Sequence, residues 1–174
     1  TGAYAEIYGA GVLIRQGATG IELRDLLVTG NDDGGVVVID QSEALLAGVV
    51  LAENEAKQGG GLAVEEASTA TVQASVIRDN VAPSGGGIFV RSGCTVTLTG
   101  CEIRDNTISA DFGNGGGVCV QNSHCDISGC TIAGNVTRGS GGGLAYLDGA
   151  TGTVQDSELR GNSTAASFNY GGGI

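Results

Sequence analysis

Five glycine triplets, each followed by an aliphatic residue, punctuate this chain at 59–62, 85–88, 115–118, 141–144 and 171–174. Weaker versions precede them at Gly34-Gly35-Val36 and Gly9-Ala10-Gly11-Val12. An Asn follows each of the first six marks: Asn31, Asn54, Asn80, Asn106, Asn135 and Asn162. From aliphatic residue to Asn the distance is 19, 18, 18, 18, 17 and 18 residues, and from Asn to the next aliphatic residue it is 5, 8, 8, 12, 9 and 12. Each unit thus has a near-rigid part and one elastic connection. Stacked repeats with their loops on a single edge have this property.

Within a unit the hydrophobic period is two. Ile88 and Val90 alternate with Phe89 and Arg91, Thr95–Thr99 alternates through Val96 and Leu98, and Cys101 and Ile103 alternate with Glu102 and Arg104. This pattern predicts three short strands per unit and no helix. Columns that stay aliphatic in every unit point inward: Leu23, Leu46, Val72, Leu98, Ile127 and Val154 form one, and Val28, Leu51, Ile77, Ile103, Ile132 and Leu159 another. Like residues stacked on like, with three strands per turn, make an all-β single-stranded parallel β-helix of about six complete coils of 24–30 residues. Such coils hydrogen-bond to one another about 4.8 Å apart, giving a rod roughly 30 Å long. In that fold the Asn column is a ladder at a tight corner, and the glycines permit close backbone approach at the next corner.

The marks Gly-Gly-x-Ile and aliphatic-x-x-Asn resemble the repeats of bacterial polymorphic outer-membrane proteins, which are autotransporter-like and carry GGA[ILV] and FxxN. Here a third Gly replaces Ala, and Ile77, Ile103, Ile132 or Leu159 stands where that family has Phe. The resemblance implies right-handed coiling, a secreted or outer-membrane surface location, and a structural or adhesive role without catalysis. Host-surface molecules, glycans or further copies of the chain are the partners it implies. The chain starts in mid-pattern and stops at the first residue of a new unit, so residues 1–174 read as one β-helix segment of a longer repeat protein.

Composition narrows the function. The net charge of −11 argues against a nucleic-acid partner, which requires a basic patch. No apolar run is long enough for a transmembrane helix, and no motif calls for a cofactor. All five cysteines, Cys94, Cys101, Cys119, Cys125 and Cys130, fall in the fourth and fifth units. Cys101 and Cys130 share one inward column with Ser75 and Ser157, five residues before an Asn, within the Cα range of a disulfide. Cys94 and Cys125 are corner neighbours in adjacent units, so Cys94–Cys125 and Cys101–Cys130 are the two candidate bridges. With one His, His124, and no Cys-x-x-Cys, the cysteines make no metal site.

Many parallel β-helices cleave polysaccharides with clustered carboxylates, so a lyase or glycoside hydrolase is the alternative function, and a self-associating module another. The outward acids Asp79, Asp105, Glu102 and Glu158 lie beside Arg78, Arg104 and Arg160, which reads more simply as a solvated ionic lattice. The acidic turn Asn31-Asp32-Asp33-Gly34 is alone and gives no calcium site. The longest connections carry the best binding candidates: Asp111, Phe112 and Asn114 in one, Phe168, Asn169 and Tyr170 in the other. Finally, outward positions near Val37 and Ile39 are apolar, which predicts a face covered by a flanking segment or another chain.

Overall fold

In the computed structural model, which describes residues 10–165, the β-branched and alternating segments form a parallel β-solenoid of about six turns. Three six-stranded sheets run its length. The first holds the strands that follow the glycine marks, from Val12–Ile14 through Ile88–Arg91 to Leu144–Leu147. The second runs from Ile21–Arg24 through Thr95–Thr99 to Val154–Gln155, and the third from Leu27–Thr29 through Glu102–Arg104 to Glu158–Arg160. Every pairing is parallel, and the register stacks the expected columns: Ile88 on Leu62 and Val118, Leu98 on Val72 and Ile127, Ile103 on Ile77 and Ile132.

The interior is one continuous apolar core in which Leu46, Leu51, Leu62, Ile77, Ile88, Leu98, Ile103, Ile127, Ile132 and Leu144 are fully buried. Each such side chain removes roughly 1.5–3 kcal/mol worth of apolar surface from water. No coil could bury this face alone, so neighbours supply the stability.

A fourth sheet, beyond the three expected, follows the Asn column. Its strands are Val81–Ala82, Thr107–Ile108, Val136–Thr137 and Ser163–Thr164. Two residues are too few to show a period, so only the stacking of coils reveals them.

Three polar ladders hold the corners. In the first, the side-chain oxygen of each Asn accepts two bonds from the Asn of the coil before. Asn106 Oδ1 takes the Asn80 backbone N–H and Nδ2, both at 3.0 Å. Asn106 Nδ2 then donates to Ile77 O at 3.0 Å and to Asn135 Oδ1 at 2.9 Å. The pattern runs from Asn31 to Asn162, and Asn54, Asn80, Asn106 and Asn135 are buried. The other two ladders are built from Ser and Cys. Ser42, Ser68, Cys94 and Ser123 each accept the N–H of the preceding coil between the first and second sheets. Ser75, Cys130 and Ser157 do so between the second and third, accepting from Val49, Cys101 and Cys130.

The glycine marks fit these corners. Gly85 sits at φ +59°, and a Cβ there would press on the Ile88 carbonyl and on Phe89 Cβ. The third glycine leaves room for the ladder, since a Cβ on Gly87 would lie 2.9 Å from Asn106 Nδ2.

The expected pairing of the cysteines needs correction. All five cysteines are free and buried. Cys94 lies beside Ser123 rather than Cys125, because Cys125 pairs with Val96. The turn from the first to the second sheet is one residue shorter in the fifth coil (Asn122–Ser123) than in the fourth (Ser92–Cys94), which shifts the cysteine. Cys101 and Cys130 do stack, but as ladder members, with the Cys101 N–H 3.3 Å from Cys130 Sγ. The apolar outer face, by contrast, is covered as expected. Val37 and Ile39 are buried within the single chain, packed with Ala63 against Ala10 and Leu13, so these two need no second chain as a cover. The same outward column stays buried through Phe89, Cys119 and Ala145. Leu26 and Leu27, on the third sheet's side, remain exposed.

Candidate functional site

Three outward regions carry polar chemistry: the connection after Asn106, the outer face of the third sheet, and the outer face of the second.

The connection leaves the fourth sheet at Ile108 and returns at Gly113. It is pinned to the next coil: Thr137, fully buried, donates its hydroxyl to Gly113 O at 2.6 Å and accepts from Gly139 N at 3.1 Å. Asn114 is part of this anchoring. Its side-chain oxygen accepts from Ser140 N at 2.9 Å and its carbonyl accepts from Gly85 N at 3.0 Å. Asn114 is therefore a loop-positioning residue. Asp111 and Phe112 stand out from the anchor. Asp111 Oδ1 pairs with Arg138 Nη1 at 3.0 Å in the open, and Phe112 is 88% exposed. Phe112 is a single aromatic held in water on a tethered loop, not part of a larger apolar patch. Phe168, Asn169 and Tyr170 lie outside the described residues.

On the third sheet, Arg78 pairs with Asp79 at 2.5 Å and Glu53 at 3.6 Å, and Arg104 with Glu102 and Asp105 at 2.8 Å each. Arg160 and Glu158 repeat the motif at 3.3 Å. The residue before each ladder Asn is left-handed throughout: Gly30, Glu53, Asp79, Asp105, Gly134 and Gly161 have φ between +55° and +68°. Asp is among the few non-glycine residues that tolerate this conformation. The backbone thus accounts for Asp79 and Asp105, and for the break at Gly134, without a reaction. Among the described residues, no three of His, Cys, Asp and Glu converge as metal ligands.

The outer face of the second sheet was not singled out from sequence, although Thr69-Ala-Thr71 and Thr95-Val-Thr97-Leu-Thr99 mark it. Its columns are Glu43, Thr69, Thr95, His124 and Thr151; Glu22, Leu45, Thr71, Thr97, Asp126 and Thr153; and Arg24, Ala47, Gln73, Thr99, Ser128 and Gln155. His124 is fixed between Thr151 Oγ1 at 2.9 Å and Asp126 Oδ2 at 3.0 Å. Asp126 Oδ1 accepts from Thr153 N and Oγ1, which together with His124 hold its carboxyl below the usual range. At the face's other end, Glu22, Glu43, Leu45, Thr71 and Gln73 line a shallow open hollow.

Four of the buried thiols, Cys94, Cys101, Cys119 and Cys125, are poor nucleophiles, whereas the hydrogen bond with Cys101 lowers Cys130. Burial pushes Cys119 and Cys125 up to about 12. The bond to the Cys130 sulfur, then burial, raises Cys101 and so holds its proton in place.

A family model described as the right-handed β-helix region matches residues 10–174, and the chain belongs to that family. No curated protein and no solved structure matches the chain. Among the described residues, no helix is long and apolar enough to cross a membrane.

Proposed function

We propose that this chain is a non-enzymatic structural and adhesive segment of a longer secreted or cell-surface bacterial repeat protein, of the kind the polymorphic outer-membrane repeats exemplify. The observation that carries this reading is the contrast between the ladder-locked scaffold and the tethered loop that holds Phe112 in solvent beside the Asp111–Arg138 pair. Loops on a rigid solenoid carry recognition in other repeat folds. The lyase or hydrolase alternative would draw on the third-sheet carboxylates, and those side chains are engaged with Arg78 and Arg104.

The test is adhesion of chain-coated beads to host cells and to surfaces coated with the chain itself. Beads should bind one of these, and Phe112→Ala should cut binding severalfold with an unchanged melting curve. Absence of binding, or release of oligosaccharide products from acidic polysaccharides, overturns the reading.

A further inference from the structure

We infer that the outer face of the second sheet binds a neutral, unbranched polysaccharide laid along the solenoid axis, about one sugar per coil. The inference rests on the adhesive reading but uses a different face from Phe112.

Over four consecutive coils this face presents Thr69, Thr71 and Gln73; Thr95, Thr97 and Thr99; His124, Asp126 and Ser128; and Thr151, Thr153 and Gln155. Each of the twelve bears a hydrogen-bonding side chain, and eight are hydroxyls. A hydroxyl both donates and accepts, as sugar hydroxyls do, so such an array fits a ligand with the same dual character at regular intervals. The scaffold sets the interval. Residues in one column recur about every 4.8 Å along the axis, close to the advance of one sugar in an extended β-linked chain. Within a strand, every second residue faces the ligand, so three columns can address both edges of a sugar ring.

Charge selects the class of polymer. No Lys or Arg stands among the twelve side chains, and Arg24 at the end of the face is tied to Glu22 at 2.7 Å. The nearby carboxylates Glu22, Glu43 and Asp126, on a chain of net charge −11, repel uronates and sulfated glycans. The hollow by Glu43, Thr71 and Gln73 gives the polymer a lip to enter.

The probe is native affinity electrophoresis of the whole chain in gels containing a soluble mixed-linkage β-glucan, a glucomannan, alginate or polygalacturonate. At least one neutral polymer should retard the protein, and the two anionic ones should not. Thr71→Arg/Thr97→Arg should weaken retardation at least tenfold. Thr95→Ala/Thr97→Ala/Thr99→Ala, which adds no bulk, should weaken it in the same direction, with the melting curve reporting the fold of both variants. Phe112→Ala should leave retardation unchanged, which separates this face from the loop. Retardation by neither neutral polymer, equal retardation by the anionic ones, or retardation untouched by the alanine variant overturns the inference. Cell adhesion lost in Phe112→Ala would still stand in each of those cases.

Discussion

Asn106 and Cys101 stand in the same coil and do related work, yet differ in how much rests on them. The Asn106 carboxamide makes four bonds, two accepted from Asn80 and two donated to Ile77 and Asn135. Cys101 occupies a column in which Ser75, Cys130 and Ser157 each accept a single N–H, and every member from Ser75 to Ser157 donates to the carbonyl two residues back, so a hydroxyl or a thiol serves. One corner needs two donors and a doubly accepting oxygen on one side chain, and only Asn or Gln supplies that without charge. The other corner needs one small side chain that takes one N–H and gives one bond back to its own strand. This difference explains why one column is invariant along the chain and the other is not, running from Leu26 and Val49 to Ser75, Cys101, Cys130 and Ser157.

The comparison breaks first at Asn106. Asn106→Ala strips the buried Asn80 N–H and the Ile77 carbonyl of the Asn106 side chain and takes one of two bonds from Asn80 Nδ2 and from Asn135 Oδ1, so urea denaturation should show a loss of about 4 kcal/mol or more. Gly85→Ala comes next, at about 3 kcal/mol, because a side chain must occupy a left-handed position against Ile88 and Phe89. At the single-acceptor corner, Cys130→Ser should change stability by less than about 1 kcal/mol, and Cys130→Ala should cost about 1–2 kcal/mol. A Cys130→Ser variant as damaging as Asn106→Ala would erase the distinction between the corners.

The smallest expected effect lies outside the ladders. Glu66 is raised above the usual carboxylate range by its hydrogen bond with Asp40, then by burial and by that neighbour's charge. A carboxyl whose pKa is raised on folding contributes stability at low pH and loses it as pH rises through the folded value. Asp40→Asn should therefore raise the neutral-pH melting temperature slightly, by about 1 °C. The gain should disappear in acid below the carboxylate range. A gain that persists in acid would contradict the sign.

What repeats in every unit was legible from sequence. The Asn ladder, the aliphatic columns and the coil count all recur at near-constant spacing, and stacking forces like onto like. The Ser and Cys column of Ser75, Cys101, Cys130 and Ser157 was visible as a column, but its hydrogen bonds were not, since sequence does not say which backbone N–H lies above a side chain. Cys94 was misplaced because one turn residue fewer in the fifth coil moves the register. The buried face through Phe89 and Cys119 was hidden for a different reason: period two separates the sides of a strand but does not say which side meets water. The site was less legible than the fold. Phe112 stood out by composition, Asn114 proved to be an anchor, and the threonine face was concealed because strands favour Thr in any case.

The central claim is that side-chain ladders, as much as sheet bonds, hold the coils together. Amide hydrogen exchange at Asn54, Asn80, Asn106 and Asn135 tests it most directly, because each of these N–H groups donates to the next Asn side chain. The account predicts that they exchange as slowly as the strand amides of Ile77 and Ile103, opening only with the coil. Exchange at the rate of surface amides without a hydrogen-bond partner would contradict it.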